Sequence, residues 1–202
     1  MSKVKPIFVA RSLVSKLKLN SPPIPVEKVA RLINAVIIEG SLEKDGYTFR
    51  RKDIEKIIFL SERPDSFAAQ MLRKANEKGL KDEYLYFIFI NNQVPLVRKR
   101  FTIAHEIGHI VLKHFERSEF IYVFHKEDCQ NYFEEEANLF AGELLVPYGF
   151  LKQAIFHYNI RDIHSLAKFF NVSEQVVSIK VRQYNLFDYI VKSKSAIFSS
   201  QV

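Results

Sequence analysis

His105-Glu106-Ile107-Gly108-His109 is the stretch of this chain best able to do chemistry. A helix turns once per 3.6 residues, so positions i and i+4 share a face, and His105 and His109 can aim two imidazoles at one ion. Zinc takes neutral imidazole nitrogen readily and keeps a position open for water when it is catalytic. Glu106, beside the first histidine, is placed to take a proton from that water. The pentapeptide alone also fits a surface helix that carries two histidines and a glutamate. Its context favours a metal: Phe101, Ala104, Gly108, Val111, Leu112 and Phe115 recur at helical spacing and make one apolar stripe beside the histidines. Gly108 costs a helix about 1 kcal/mol relative to Ala, which points to close approach by another backbone.

Two histidines leave zinc underliganded, so a third protein ligand is required. A metzincin arrangement would place Gly at 112 and His at 115, where this chain has Leu112 and Phe115. His114 misses that register by one and reads as a helix-end histidine near the C-terminal dipole. The next acidic cluster is Glu134-Glu135-Glu136, on a second helix that stops before Pro147. Three glutamates compete for the ligand role. Glu134 has Ala137, Asn138 and Ala141 one and two turns on, a face of small residues that lets two helices pack closely; Glu136 has the bulkier Leu139, Phe140 and Glu143. Glu134 is therefore the expected ligand, with Asn138 orienting a ligand histidine.

Taken together, R-F-T-x-A-H-E-x-G-H at 100–109 and E-x-x-A-N-x-F-A-x-x-L-L-x-P at 134–147 resemble the ImmA/IrrE zinc metallopeptidases, a gluzincin-like family. The resemblance covers most of the chain. It implies zinc on His105, His109 and Glu134, with Glu106 as the base. It also implies a cytosolic protein of bacterial or phage origin that cleaves, or otherwise inactivates, helix-turn-helix repressors of the Xre type and so derepresses stress or mobile-element genes.

The 202 residues suffice for one domain and a small appendage, and 48% of them are hydrophobic, enough for a sizeable core. One cysteine, Cys129, cannot form an internal disulfide and fits a reducing, cytoplasmic compartment. No signal peptide and no membrane-spanning run is visible. The net charge of +7 suits an acidic partner or nucleic acid, as a statement about encounter rather than fold.

These features predict an α+β, zincin-like core at 1–147: a small mixed sheet packed on the active-site helix. Helices are expected from Ile7 to Lys18 and from Val26 to Ile33, around the stiff Ser21-Pro22-Pro23 break. Strands are expected at Ala35–Glu39, Gly46–Arg50, Ile57–Leu60 and Tyr84–Ile90, the last buried on both faces because it is almost continuously apolar. Residues 61–83 read as an inserted helix, more readily a packed elaboration than a lid. The tetrahedral oxyanion of a hydrolysis needs a donor besides the metal, for which Arg100 and His125 are candidates.

After Pro147, residues 148–190 read as a helical, helix-turn-helix-like module, with Ser173 capping its last helix and Val177, Val181 and Tyr184 forming the buried stripe. Gln175, Ser178, Lys180, Arg182 and Gln183 are read as outward. They could reach DNA, but so few basic residues bind it weakly, and a buttress for the core or a dock for the repressor is the preferred reading. Residues 191–202 read as a frayed tail. The function expected is that of a zinc-dependent endopeptidase acting on a repressor, with manganese or iron able to replace zinc in such an N,N,O site. The alternatives are a regulator that binds a repressor or DNA without cutting, and a toxin–antitoxin component.

Overall fold

The computed structural model describes residues 4–42, 44–53, 73, 84–117 and 127–190. Two helices open it, α1 (Val4–Lys16) and α2 (Val26–Leu32), followed by strands β1 (Ala35–Gly40), β2 (Gly46–Arg50) and β3 (Tyr86–Asn91). The helices α3 (Leu96–Val111), α4 (His114–Arg117), α5 (Glu127–Leu145), α6 (Tyr148–Phe156), α7 (Ile163–Phe170) and α8 (Glu174–Gln183) complete it, with a short 3-10 turn at Phe187–Tyr189. The expected strand at Ile57–Leu60, the segment 61–83 apart from residue 73, His125 and the tail lie outside the described residues, as does the side chain of Cys129.

The sheet runs in the order β1-β3-β2, with β1 parallel and β2 antiparallel to β3. β3 is thus central, and its apolar run follows from that position. Ile88 and Ile90 face the helices and join the main core, while Phe87 and Phe89 form a second cluster with Ile38 on the other face. A strand buried on both faces cannot alternate apolar with polar.

α3 and α5 pack against each other at the centre of the helical layer. Gly108 explains how closely they meet. A Cβ there would stand 3.1 Å from Phe140 Cδ1 and 3.3 Å from the Cα and carbonyl oxygen of Ala137. The helix penalty of a glycine is thereby exchanged for backbone-to-backbone contact. β2 lies as tightly on α3 from the other side, since a Cβ at Gly46 would fall 2.6 Å from Thr102 Cγ2.

Arg100 also holds α3 in place. Its Nη2 donates to the Ile24 carbonyl at 2.8 Å and its Nε to the Asn171 carbonyl at 3.1 Å, joining α3 to the segment before α2 and to the turn between α7 and α8. The two cations before it point out to carboxylates of the sheet edge: Arg98 to Asp45 at 2.5 Å and Lys99 to Glu39 at 2.7 Å.

α7 and α8 are joined by a short turn. Asp162 and Ser173 cap them by accepting from the backbone N–H groups of Ser165 and Val176, and Asn171 ends α7 in the left-handed conformation at φ 52°. Lys180 departs from expectation. It is 2% exposed, and its ammonium donates to Glu143 on α5 at 2.5 Å. Position 180 falls beside Val177 and Val181 on the helical wheel, so the buried stripe takes it in once a carboxylate is there to receive it. Arg11 of α1 donates to the same carboxylate at 2.7 Å, and the Tyr184 hydroxyl also donates to it. This cluster fastens α8 and α1 to α5.

Candidate metal centre

α3 carries His105 and His109 on one face, and α5 brings Glu134 across from them. The Nε2 atoms of the two histidines stand 3.0 Å apart. Glu134 Oε2 lies 3.0 Å from His105 Nε2, and Glu134 Oε1 lies 3.5 Å from His109 Nε2. Ligand atoms about 2.0–2.2 Å from one tetrahedral ion stand roughly 3.3–3.6 Å from each other. The donor set, two imidazole nitrogens and a carboxylate, suits one zinc-sized cation in its chemistry; the 3.5 Å separation lies within that span and the two 3.0 Å separations fall a little short of it. Among the described residues, these three form a group able to hold a metal ion. Glu135 is exposed, and Glu136 is buried and turned elsewhere.

Each histidine is oriented through its other nitrogen. With Nε2 left for a metal, the proton of His105 sits on Nδ1 and donates to Asn138 Oδ1 at 2.9 Å. His109 Nδ1 lies 2.9 Å from Nδ1 of His114. His114, expected at a helix end, does follow the end of α3, and it is fully buried: Lys113, at φ 59°, ends the helical run and turns His114 back beneath His109.

The electrostatics follow from burial. His109 is pushed down to about 3 by desolvation and by the neighbouring His105, and so stays neutral, as a ligand must. His105 is also desolvated, but the Glu134 hydrogen bond and the Glu106 and Glu134 charges outweigh burial and raise it. Burial would raise Glu134, and the His105 hydrogen bond with the charges of His109, His105 and His114 lowers it instead. Glu106 is raised by burial, only partly offset by His105 and by the Thr48 hydroxyl beside it. Thr48 Oγ1 is itself buried and makes no hydrogen bond of ordinary geometry. A buried carboxylate with a raised pKa suits proton transfer near neutral pH.

The structure brings His105, Glu106, His109, Glu134 and Asn138 together. It does not bring Arg100 there. The guanidinium is committed to two backbone carbonyls, so the expectation that it stabilises an oxyanion is corrected: its role is to hold α3. Sequence reasoning did not consider Thr48, and it weighed His114 and Glu136 without seeing that they meet behind His109. The local signal for Glu136 was Tyr132 one turn before it, on a helix already assigned to the site.

A groove of about 800 Å³ opens beside the centre, between α3, α5 and α8. Phe101, Leu139, Val176 and Ile179 give it apolar walls, Arg98 and Glu135 lie on it, and Asn138 is shared with the histidine pair.

The chain is 32% identical over 102 residues to the Metallopeptidase ImmA of Bacillus subtilis (strain 168), a match covering 50% of this chain and 59% of that protein. It thus spans about three-fifths of the length of that relative. A mixed α+β arrangement with a small three-stranded sheet fits a zincin-like domain of this kind. The Peptidase_M78 model, described as the IrrE N-terminal-like domain, matches residues 66–182, more than half of the sequence, and the chain belongs to that family.

Proposed function

We propose that this protein is a zinc-dependent endopeptidase, in which His105, His109 and Glu134 hold the metal and Glu106 is the catalytic base. The observation that carries this reading is the convergence of two imidazole Nε2 atoms and one carboxylate beside a buried glutamate of raised pKa. Zinc, when bound at such a site, would act as a Lewis acid that lowers the pKa of water toward about 7. Glu106 accepts the proton of the attacking water and returns it to the leaving amine, which balances the hydrolysis of one amide bond. Asn138 fixes the plane and tautomer of His105. Burial of Glu106 keeps its carboxylate poorly solvated and therefore basic. Manganese or iron would suit the same three ligands.

The groove beside the centre supports a polypeptide substrate, since it offers an apolar cleft running from Asn138 toward α8. The resemblance to repressor-directed peptidases favours a DNA-binding repressor of the helix-turn-helix class as that substrate. In this reading residues 1–147 form the peptidase unit and residues 148–190 a helix-turn-helix-like buttress. The Lys180 interaction favours the buttress over DNA contact, because it withdraws from the surface one of the few cations that α8 had to offer a phosphate. No helix among the described residues is long and apolar enough to cross a membrane.

The test is a comparison of new protein N-termini in cells producing the wild type or Glu106→Gln. New termini in a helix-turn-helix repressor, present only with the wild type, are expected. New termini confined to other proteins would refute the repressor as substrate. Identical termini in both strains, with the regulated genes still responding, would favour a regulator that binds without cutting.

A further inference from the structure

Three side chains behind the centre form a chain of hydrogen bonds that the proposed hydrolysis does not use. His109 Nδ1 is 2.9 Å from His114 Nδ1, His114 Nε2 is 3.2 Å from Glu136 Oε2, and the Tyr132 hydroxyl donates to Glu136 Oε1 at 2.8 Å. His114 is 0% exposed and Glu136 is 4% exposed. One proton arrangement satisfies every member while leaving His109 Nε2 unprotonated: His109 Nδ1–H donates to His114 Nδ1, and His114 Nε2–H donates to the Glu136 carboxylate. The Phe133 ring, 4.7 Å from the His114 ring between centroids, packs against the imidazole.

We propose that His114, Glu136 and Tyr132 are positioning residues that lock His109 as an Nε2 ligand and raise its affinity for the metal. The inference rests on the metal reading of His105, His109 and Glu134. Its physical basis is the polarity of the chain. A buried carboxylate accepting from His114 makes the His114 Nδ1 lone pair a better acceptor, which in turn makes His109 Nε2 a better donor to a cation. The two ligand histidines are thus held differently: His105 by a neutral amide near the groove, His109 by a relay ending in a carboxylate. The relay also explains the break after α3. Without the left-handed residue at Lys113, His114 would continue the helix and could not fold back beneath His109.

The experiment measures zinc affinity by chelator competition and the melting temperature of the zinc-free protein, for the wild type, His114→Leu, His114→Gln, Glu136→Gln and Tyr132→Phe. Leu fills much of the space of the imidazole but cannot hydrogen-bond, whereas Gln can both accept and donate. His114→Leu is expected to weaken zinc binding about 10- to 100-fold with little change in zinc-free melting, and His114→Gln to recover much of that loss. Glu136→Gln falls between them, and Tyr132→Phe loses least. In histidine labelled with ¹⁵N, the His109 Nδ1–H proton is expected downfield in the zinc-loaded wild type and shifted or lost in His114→Leu. Wild-type zinc affinity in His114→Leu and Glu136→Gln would overturn the proposal, as would losses of affinity that only follow losses of zinc-free stability. Should His114→Leu not fold, unchanged affinity in both Glu136→Gln and Tyr132→Phe would overturn it. A wild type that binds no zinc would instead overturn the metal reading itself.

Discussion

Removing either member of the Lys180–Glu143 pair should cost different amounts, and the structure says which costs more. Lys180 Nζ donates to Glu143 Oε2 at 2.5 Å, and the side chains are 3% and 0% exposed. In Lys180→Met, Glu143 keeps the Arg11 guanidinium at 2.7 Å, the Tyr184 hydroxyl and the Tyr148 backbone N–H at 3.2 Å. The carboxylate stays paired, and the loss is that of one hydrogen bond to a charged group, about 1.5–3 kcal/mol. In Glu143→Gln, the Lys180 ammonium is left with neutral oxygens alone, those of Gln183 and Tyr184, each 3.1 Å away, and the new amide's own. Arg11, with 44% of its side chain exposed, can turn to water, but Lys180 cannot. Stranding a buried charge costs about 3–5 kcal/mol, or a fall in melting temperature of roughly 6–20 °C for a chain of this size.

The assay is urea unfolding of the zinc-free protein, for both single variants and the pair together. The double variant should be less destabilised than the sum of the singles by more than about 0.5 kcal/mol, because removing both charges removes the stranded one. A Lys180→Met cost equal to or above that of Glu143→Gln would refute the reasoning, as would strict additivity.

The same cluster sets a pH dependence. Burial would raise Glu143, but the Lys180 charge and the hydrogen bonds from Lys180, Tyr184 and Arg11 hold it below 4.5. A depressed folded pKa gives stabilisation that is complete above the unfolded value and lost as pH falls through the folded one. The stability gap between wild type and Glu143→Gln should therefore narrow as pH drops below about 4.5, and a gap that widens there would contradict it. Gly108→Ala should destabilise even though it gains about 1 kcal/mol of helix propensity, since its Cβ meets Ala137 backbone at 3.3 Å and overpacking costs about 1–3 kcal/mol; a raised melting temperature would show that α3 and α5 can part freely. Glu106→Gln should lower peptide hydrolysis at least about 100-fold while zinc content stays unchanged, as read by cleavage rate and metal analysis on one preparation.

Much of this arrangement was legible because local rules decide it. The i, i+4 spacing of His105 and His109, the small face that continues Glu134 through Ala137 and Ala141, and the glycine opposite that face are all patterns of a single helix. β3 was legible as a doubly buried strand from its apolar run. The residues whose partners were not legible share a different cause. Arg100 bonds to carbonyls at Ile24 and Asn171, more than 70 positions away in either direction, and no pattern around it records them. Lys180 was read as exposed because its partner, Glu143, lies 37 positions earlier. His114 depends on one left-handed residue at Lys113, a type that carries no special preference for that conformation. Thr48 reaches Glu106 only because β2 settles on α3 over Gly46.

Zinc bound per chain in the wild type, Glu134→Ala and Glu135→Ala, measured after equilibration with trace zinc and removal of the excess, tests the centre most directly. The account predicts about one zinc per chain in the wild type and in Glu135→Ala, and a lost or much weakened site in Glu134→Ala. Full zinc retention in Glu134→Ala would contradict it and move the third ligand off the face that the packing of α3 on α5 presents.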